Sequence, residues 1–185
     1  MKSIDMRFDL SLINRWIGKK FNKYKCDTFE FTNSVTQIVG LYIEDEVYSL
    51  TNIQEPVDYF GMNDDISVFK LKESEDSSVK SAFKEAEMIS TPINGEITSI
   101  KVVNELQKMT IDDMPKYEVW FTRAIIFEAG GREIAFEKSI VPFSEEIIIR
   151  RGYNLIDGLE SNESFLEDWD DKYSPEYSRE IIKLG

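Results

Sequence analysis

The chain of 185 residues contains no histidine and a single cysteine, Cys26. Histidine is the commonest general base, the commonest zinc ligand and the side chain that titrates near neutral pH. Its absence excludes zinc sites of the Cys/His type and the Ser-His-Asp and Cys-His nucleophile systems. A lone cysteine excludes an intrachain disulfide, and the cytoplasm is the expected location. Cys26, between Lys25 and Asp27 on an expected strand, reads as a buried, inert thiol. No run approaches the roughly 18 consecutive apolar residues that a membrane-spanning helix needs. The opening "MKSIDMRFDLSLINRW" places Asp5, Arg7 and Asp9 where a secretory signal would be apolar.

Phosphate-binding and metal-binding patterns are missing as well. The nine glycines form no G-x-G-x-x-G and no Walker sequence. No Glu is followed two positions on by Lys, as the magnesium nuclease hairpin requires. Asp170-Asp171-Lys172 fits the Asp version, but in a polar tail. The stretch "DWDDKYSPE" lacks the central glycine of a calcium loop. No cofactor is expected, and an enzyme of this composition would have to work with carboxylates, Lys, Tyr or Ser.

What is present is a packed core and an uneven charge. Hydrophobic residues make up 42% of the chain and aromatics 12%, which suits one folded domain over residues 1–185 rather than disorder. The net charge is −13. Residues 1–26 hold seven cations against two carboxylates, a local +5 that leaves −18 on the other 159 residues. Residues 154–176 hold eight carboxylates against Lys172, a local −7. Charge this dense repels nucleic acid and anionic membranes at long range and favours a basic protein partner.

Alternating apolar residues dominate the chain, and helical patterns do not interleave with them. The expected class is mainly β, an α+β chain: an antiparallel sandwich or partly open barrel of about 8–10 strands, with short helices near 10–21 and 77–89. "EVWFTRAIIFEAGGREIAFEK" is the clearest hairpin, with Gly130-Gly131 in the turn, Ile134 and Phe136 facing in, and Glu133 and Glu137 facing out. "YKCDTFEF" reads as a strand with Phe29 and Phe31 on one face, "TPINGE" as a turn and "TIDDMPK" as a loop. Segments 38–50 and 123–136 each read as two apolar strands about a tight turn. Each is followed by an aromatic link, two carboxylates and a further strand, compatible with pseudo-repeat halves at 24–89 and 95–153. The acidic segment 154–185 closes the chain.

Several clusters are candidates for chemistry. Carboxylate pairs stand at Asp64/Asp65, Asp112/Asp113, Glu145/Glu146 and within "EDWDD". Neighbours on a strand point to opposite faces, so solvated turn chemistry explains such pairs better than a metal site. Lys19, Lys20, Lys23 and Lys25 with Trp16, Phe21 and Tyr24 have the composition of a single-strand nucleic-acid platform, or of a core helix with a solvated basic rim. Trp169 either docks the tail onto the body or anchors a partner. The candidate binding set is therefore Glu167, Asp168, Trp169, Asp170 and Asp171. The leading expectation is a non-enzymatic interaction protein, an inhibitor or immunity-type protein that blocks a basic surface of a nucleic-acid enzyme or toxin. A carboxylate-based magnesium hydrolase is one alternative. The other is a homo-oligomeric structural protein whose basic N-terminal segment meets the acidic tail of another copy.

Overall fold

A computed structural model describes residues 1–27, 34–84 and 86–185. Eleven strands run through it: β1 Lys2–Met6, β2 Lys20–Asp27, β3 Ser34–Thr36, β4 Ile38–Ile43, β5 Glu46–Tyr59, β6 Met62–Ser74, β7 Met88–Ile111, β8 Met114–Ala129, β9 Arg132–Lys138, β10 Glu146–Gly152 and β11 Tyr173–Leu184. They form one open sheet in the order β3-β10-β9-β8-β7-β2-β4-β5-β6, with β1 beside β8 and β11 beside β7. Every pairing is antiparallel except that of β1 with β8. The class is therefore the expected one, with eleven strands in place of 8–10.

The two expected helices shrink to single 3-10 turns, Ile13–Trp16 and Asp76–Ser78. In the second segment the sheet overrides helix propensity, because Ile89 joins the ladder opposite Cys26. Phe29 and Phe31 lie outside the described residues.

The organising element is β7, at 24 residues. Its first part, from Met88 to Glu96, pairs with β2; the rest pairs with β8. The turn expected at "TPINGE" is instead a bulge inside this strand, where the β2 register shifts between Phe21 and Lys23. Asn94 takes φ +55° there. Gly95 follows because another backbone crosses it: a Cβ on Gly95 would stand 2.3 Å from the amide nitrogen of Gly130. The loop expected at "TIDDMPK" is a two-residue turn between Ile111 and Met114. Asp112 and Asp113, at φ +48° and +60°, give it the mirror-image geometry that matches strand twist. The Gly130-Gly131 hairpin is as expected, with φ +60° and +74°. Segments 38–74 and 114–152 are both three-strand antiparallel meanders.

One core spans both halves of the sheet. Trp16, Phe21, Tyr48, Phe127 and Phe136 are almost wholly buried in it. Trp16 meets Tyr48 at 4.6 Å and Phe127 at 5.9 Å between ring centroids, and Phe21 meets Phe127 at 5.2 Å. Across the open side, residues 139–145 stitch β5 and β6 to β10. Asn52 donates to the carbonyls of Ser144 and Glu146, and the Ser67 amide donates to Pro142 O.

Glu133 and Glu137 correct the expectation that they face solvent, since both are buried. Segment 153–166 covers them, laying Leu155 and Leu159 over Val103, Ala124, Ile126 and Ala135. Glu133 accepts from Lys101 and from the Leu155 amide. Glu137 accepts from Arg150, which also donates to Leu155 O. Arg179 reaches the carbonyls of Leu159 and Glu160 as well as Glu105. Buried carboxylates of this kind require such partners.

Candidate functional site

The acidic tail is short of apolar residues, and those it has decide its path. After the covering segment, a 3-10 turn at Glu163–Leu166 brings Phe165 against Phe60, at 5.3 Å. Phe60 sits in the β5–β6 turn at φ +52° and also touches Tyr59 at 4.7 Å and Tyr117 at 5.6 Å. Trp169 continues the row, with its ring 5.7 Å from Phe165 and 5.4 Å from Tyr173. Its indole N–H donates to Phe165 O at 2.6 Å. Asp168 takes φ +62°, a left-handed conformation that Asp tolerates better than most residues. The row thus joins the tail to the β5–β6 turn, to β8 and to β11.

Trp169 is docked along one side and remains 39% exposed. Glu167, Asp168, Asp170 and Asp171 around it are all exposed, and none forms an ion pair among the described residues. Elsewhere exposed acids do pair: Asp58 with Lys2, Glu46 with Lys19, Asp76 with Lys25, Glu73 with Arg15. Such pairing holds the Asp58, Glu46 and Asp76 carboxyls below the usual carboxylate range, through hydrogen bonds from Lys2, from Tyr48 with Lys19, and from Tyr42 with Lys25.

The fold gathers acids that the sequence separates. Tyr173 lies opposite Ile111, and the Asp112 amide donates to Lys172 O, so the Asp112-Asp113 turn adjoins the tail. Asp64 and Asp65 lie near the tip of the β5–β6 hairpin that Phe60 ties to Phe165. Three of the four carboxylate pairs therefore share one end of the molecule, an acidic pole. The same pole exposes Met62, Met114 and Leu166. The fourth pair is elsewhere: Glu145 accepts from Gln37 and from the Gln54 amide at the seam. Among the described residues no three carboxylate or thiol groups converge closely enough to hold a metal ion.

The other candidates resolve as structure. Trp16, Phe21 and Tyr24 are buried in the core, so the lysines near them border no exposed aromatic platform of these residues. Lys19 and Lys25 are ion-paired, and Lys23 lies over Tyr42 at 4.4 Å. Cys26 is buried, and desolvation pushes its thiol up to about 11, which keeps it protonated and unreactive. No helix among the described residues is long and apolar enough to cross a membrane. Comparison with models of protein families, with curated proteins and with solved structures finds no match to this chain.

Sequence reasoning missed the aromatic row, because Phe60, Tyr117, Phe165 and Tyr173 come from four segments with no common spacing. It also missed Glu105, Arg123 and Lys138, which are buried charges. Each interrupts an apolar run, in "VVNELQ", "FTRAII" and "IAFEK", and that interruption is the available signal.

Proposed function

We propose that the protein is a non-enzymatic interaction protein whose acidic pole occupies a basic surface of a partner protein, in the manner of an inhibitor or immunity protein of a nucleic-acid enzyme or toxin. The observation that carries this reading is Trp169: a large ring held on an aromatic row, part-exposed, among four exposed carboxylates that form no ion pair among the described residues. Interface anchors are aromatic side chains whose rotamers are fixed before binding. Unpaired carboxylates around such an anchor accelerate encounter with a basic surface. The cations of the first 26 residues support this reading over self-assembly, since Lys2, Arg7, Arg15, Lys19 and Lys25 already face carboxylates of the same chain. A cytoplasmic partner belongs to the same reading.

The test is differential capture from native lysate. The bait is compared with a Glu167→Gln, Asp168→Asn, Asp170→Asn, Asp171→Asn variant and with a Trp169→Ala variant. A partner held by the wild type, lost from both variants and released by moderate salt supports the reading. Identical capture profiles for all three baits would remove it.

A further inference from the structure

Among the described strands that pair on one side only, β11 is the long one whose other side is open. β1 and β3 have five and three residues, and β6 carries Pro142 on its outer side, where the Ser67 amide donates to Pro142 O. β11 has twelve residues, Tyr173–Leu184, and pairs only with β7. Antiparallel pairing alternates: every second residue turns its N–H and C=O to the neighbouring strand, and the residues between turn theirs away. Two observations fix which residues do which. The Asp112 amide donates to Lys172 O, so the even residues from Lys172 onward face β7. Pro175, which has no N–H to give, falls in the other set, opposite Met109. The N–H and C=O groups of Tyr177, Arg179, Ile181 and Lys183 therefore point away from the sheet. No hydrogen bond among the described residues reaches them.

An open row of backbone donors and acceptors is a template for a further strand. Pro and Lys are residues that blunt sheet edges, and here Pro175 and Lys183 stand at the two ends of the row and leave its middle open. A second copy of the chain is a poor occupant. Symmetric pairing along the row from Tyr177 to Lys183 would set Glu180 directly opposite Glu180, and two chains of net charge −13 repel. The side chains beside the row call for cations instead. Glu176, Ser178 and Glu180 are exposed, and Glu176 forms no ion pair among the described residues. The strand also begins at the acidic pole, with Tyr173 5.4 Å from the Trp169 ring.

We infer that β11 accepts an extended, basic segment of a partner protein as an added strand of the sheet, with Lys or Arg side chains opposite Glu176 and Glu180 and one end at the acidic pole. Main-chain hydrogen bonds to Tyr177, Arg179, Ile181 and Lys183 hold the segment, and its alternate side chains select it. The choice of occupant rests on the basic partner proposed for the pole; the open edge does not.

The probe is a synthetic peptide of alternating Lys and Thr, about nine residues long, which spans the row at about 3.4 Å per residue. Amide-resolved hydrogen exchange is followed on the whole chain with and without it. In the free protein the outward amides of Tyr177, Arg179, Ile181 and Lys183 should exchange fast, and those of Glu176, Ser178, Glu180 and Ile182 slowly. With the peptide at about ten times its Kd the outward amides should slow by about tenfold, as the free fraction falls. A peptide with Glu in place of Lys should leave them fast. Ile181→Pro removes an outward N–H and no bond to β7, so it should keep the inward amides slow and lose the peptide-dependent protection. If that variant disturbs the ladder, the wild-type measurements decide alone. Outward amides that are already slow in dilute free protein mean that the edge is covered. Outward amides that slow only as protein concentration rises make a second copy the occupant. Either result overturns the inference, as does a basic peptide that fails to bind at low salt or binds while the outward amides stay fast. The pole is judged separately. If the Glu167→Gln, Asp168→Asn, Asp170→Asn, Asp171→Asn variant binds the peptide as tightly as the wild type and protects the same amides, the reading of the pole fails and the added strand stands.

Discussion

At the scale of single residues, packing and backbone constraint are concentrated at a few positions. Gly95 is one: its α-carbon faces the Gly130 backbone, and a Cβ would overlap it at 2.3 Å. Gly95→Ala should cost on the order of 1–3 kcal/mol by equilibrium urea unfolding, because backbone on both sides must move. Gly130→Val should cost a similar amount, about 1–3 kcal/mol, for its φ of +60°. Phe127 lies at the centre of the aromatic core between Trp16, Phe21 and Phe136, and Phe127→Ala should cost about 3–5 kcal/mol. Lys138 sets a pH dependence. Burial, with Arg123 nearby, pushes its ammonium down to about 7, while the unfolded chain keeps the ordinary lysine value. Between those two values the unfolded state binds more protons than the folded state, so stability rises with pH. Below the folded value the full penalty is present and flat. Melting temperatures measured upward from neutral pH should therefore climb in the wild type, and the climb should be smaller in Lys138→Met.

At the scale of elements, the legible parts were those governed by alternation and by turn chemistry. The hairpin at 118–138 could be read from Gly130-Gly131 and its flanking apolar residues, and it stands as expected. β10 could be read from "EIIIR". The bulge at Asn94-Gly95 could not, because the same dipeptide is the usual mark of a turn. What distinguishes the two is the partner backbone at Gly130, thirty-five residues away. Glu133 and Glu137 were placed outward by alternation alone. Alternation gives the face but not whether a later segment covers it, and here residues 153–166 do. For the candidate site, the carboxylates and Trp169 were visible as a local cluster. Their supports, Phe60 and Tyr117, were not, because the contacts form only after the sheet has folded. The row also makes a prediction. Phe165→Ala should leave the sheet folded, with a small loss in melting temperature, yet shift the Trp169 fluorescence emission to the red. Unchanged emission would mean that the tail is held by something other than the aromatic row.

At the scale of the whole molecule, the open sheet collects its charges unevenly. Basic residues near the N-terminus are largely spent on ion pairs within the chain, while the acids of the β5–β6 tip, the β7–β8 turn and the tail stand together at one pole. Like charges so placed raise the energy of the compact state. Neutralising Glu167, Asp168, Asp170 and Asp171 should therefore leave the melting temperature equal or slightly higher. The central claim concerns place rather than total charge. Its most direct measurement is quantitative capture of the proposed basic partner by three baits: the wild type, the quadruple pole variant, and a charge-matched variant in which Asp45, Glu73, Glu75 and Glu87 are neutralised instead. The account expects the wild type and the charge-matched variant to retain the partner alike, with retention falling steeply as salt rises, and the pole variant to retain none. Equal loss from both variants would make net charge alone responsible, and retention by the pole variant would contradict the assignment of the pole.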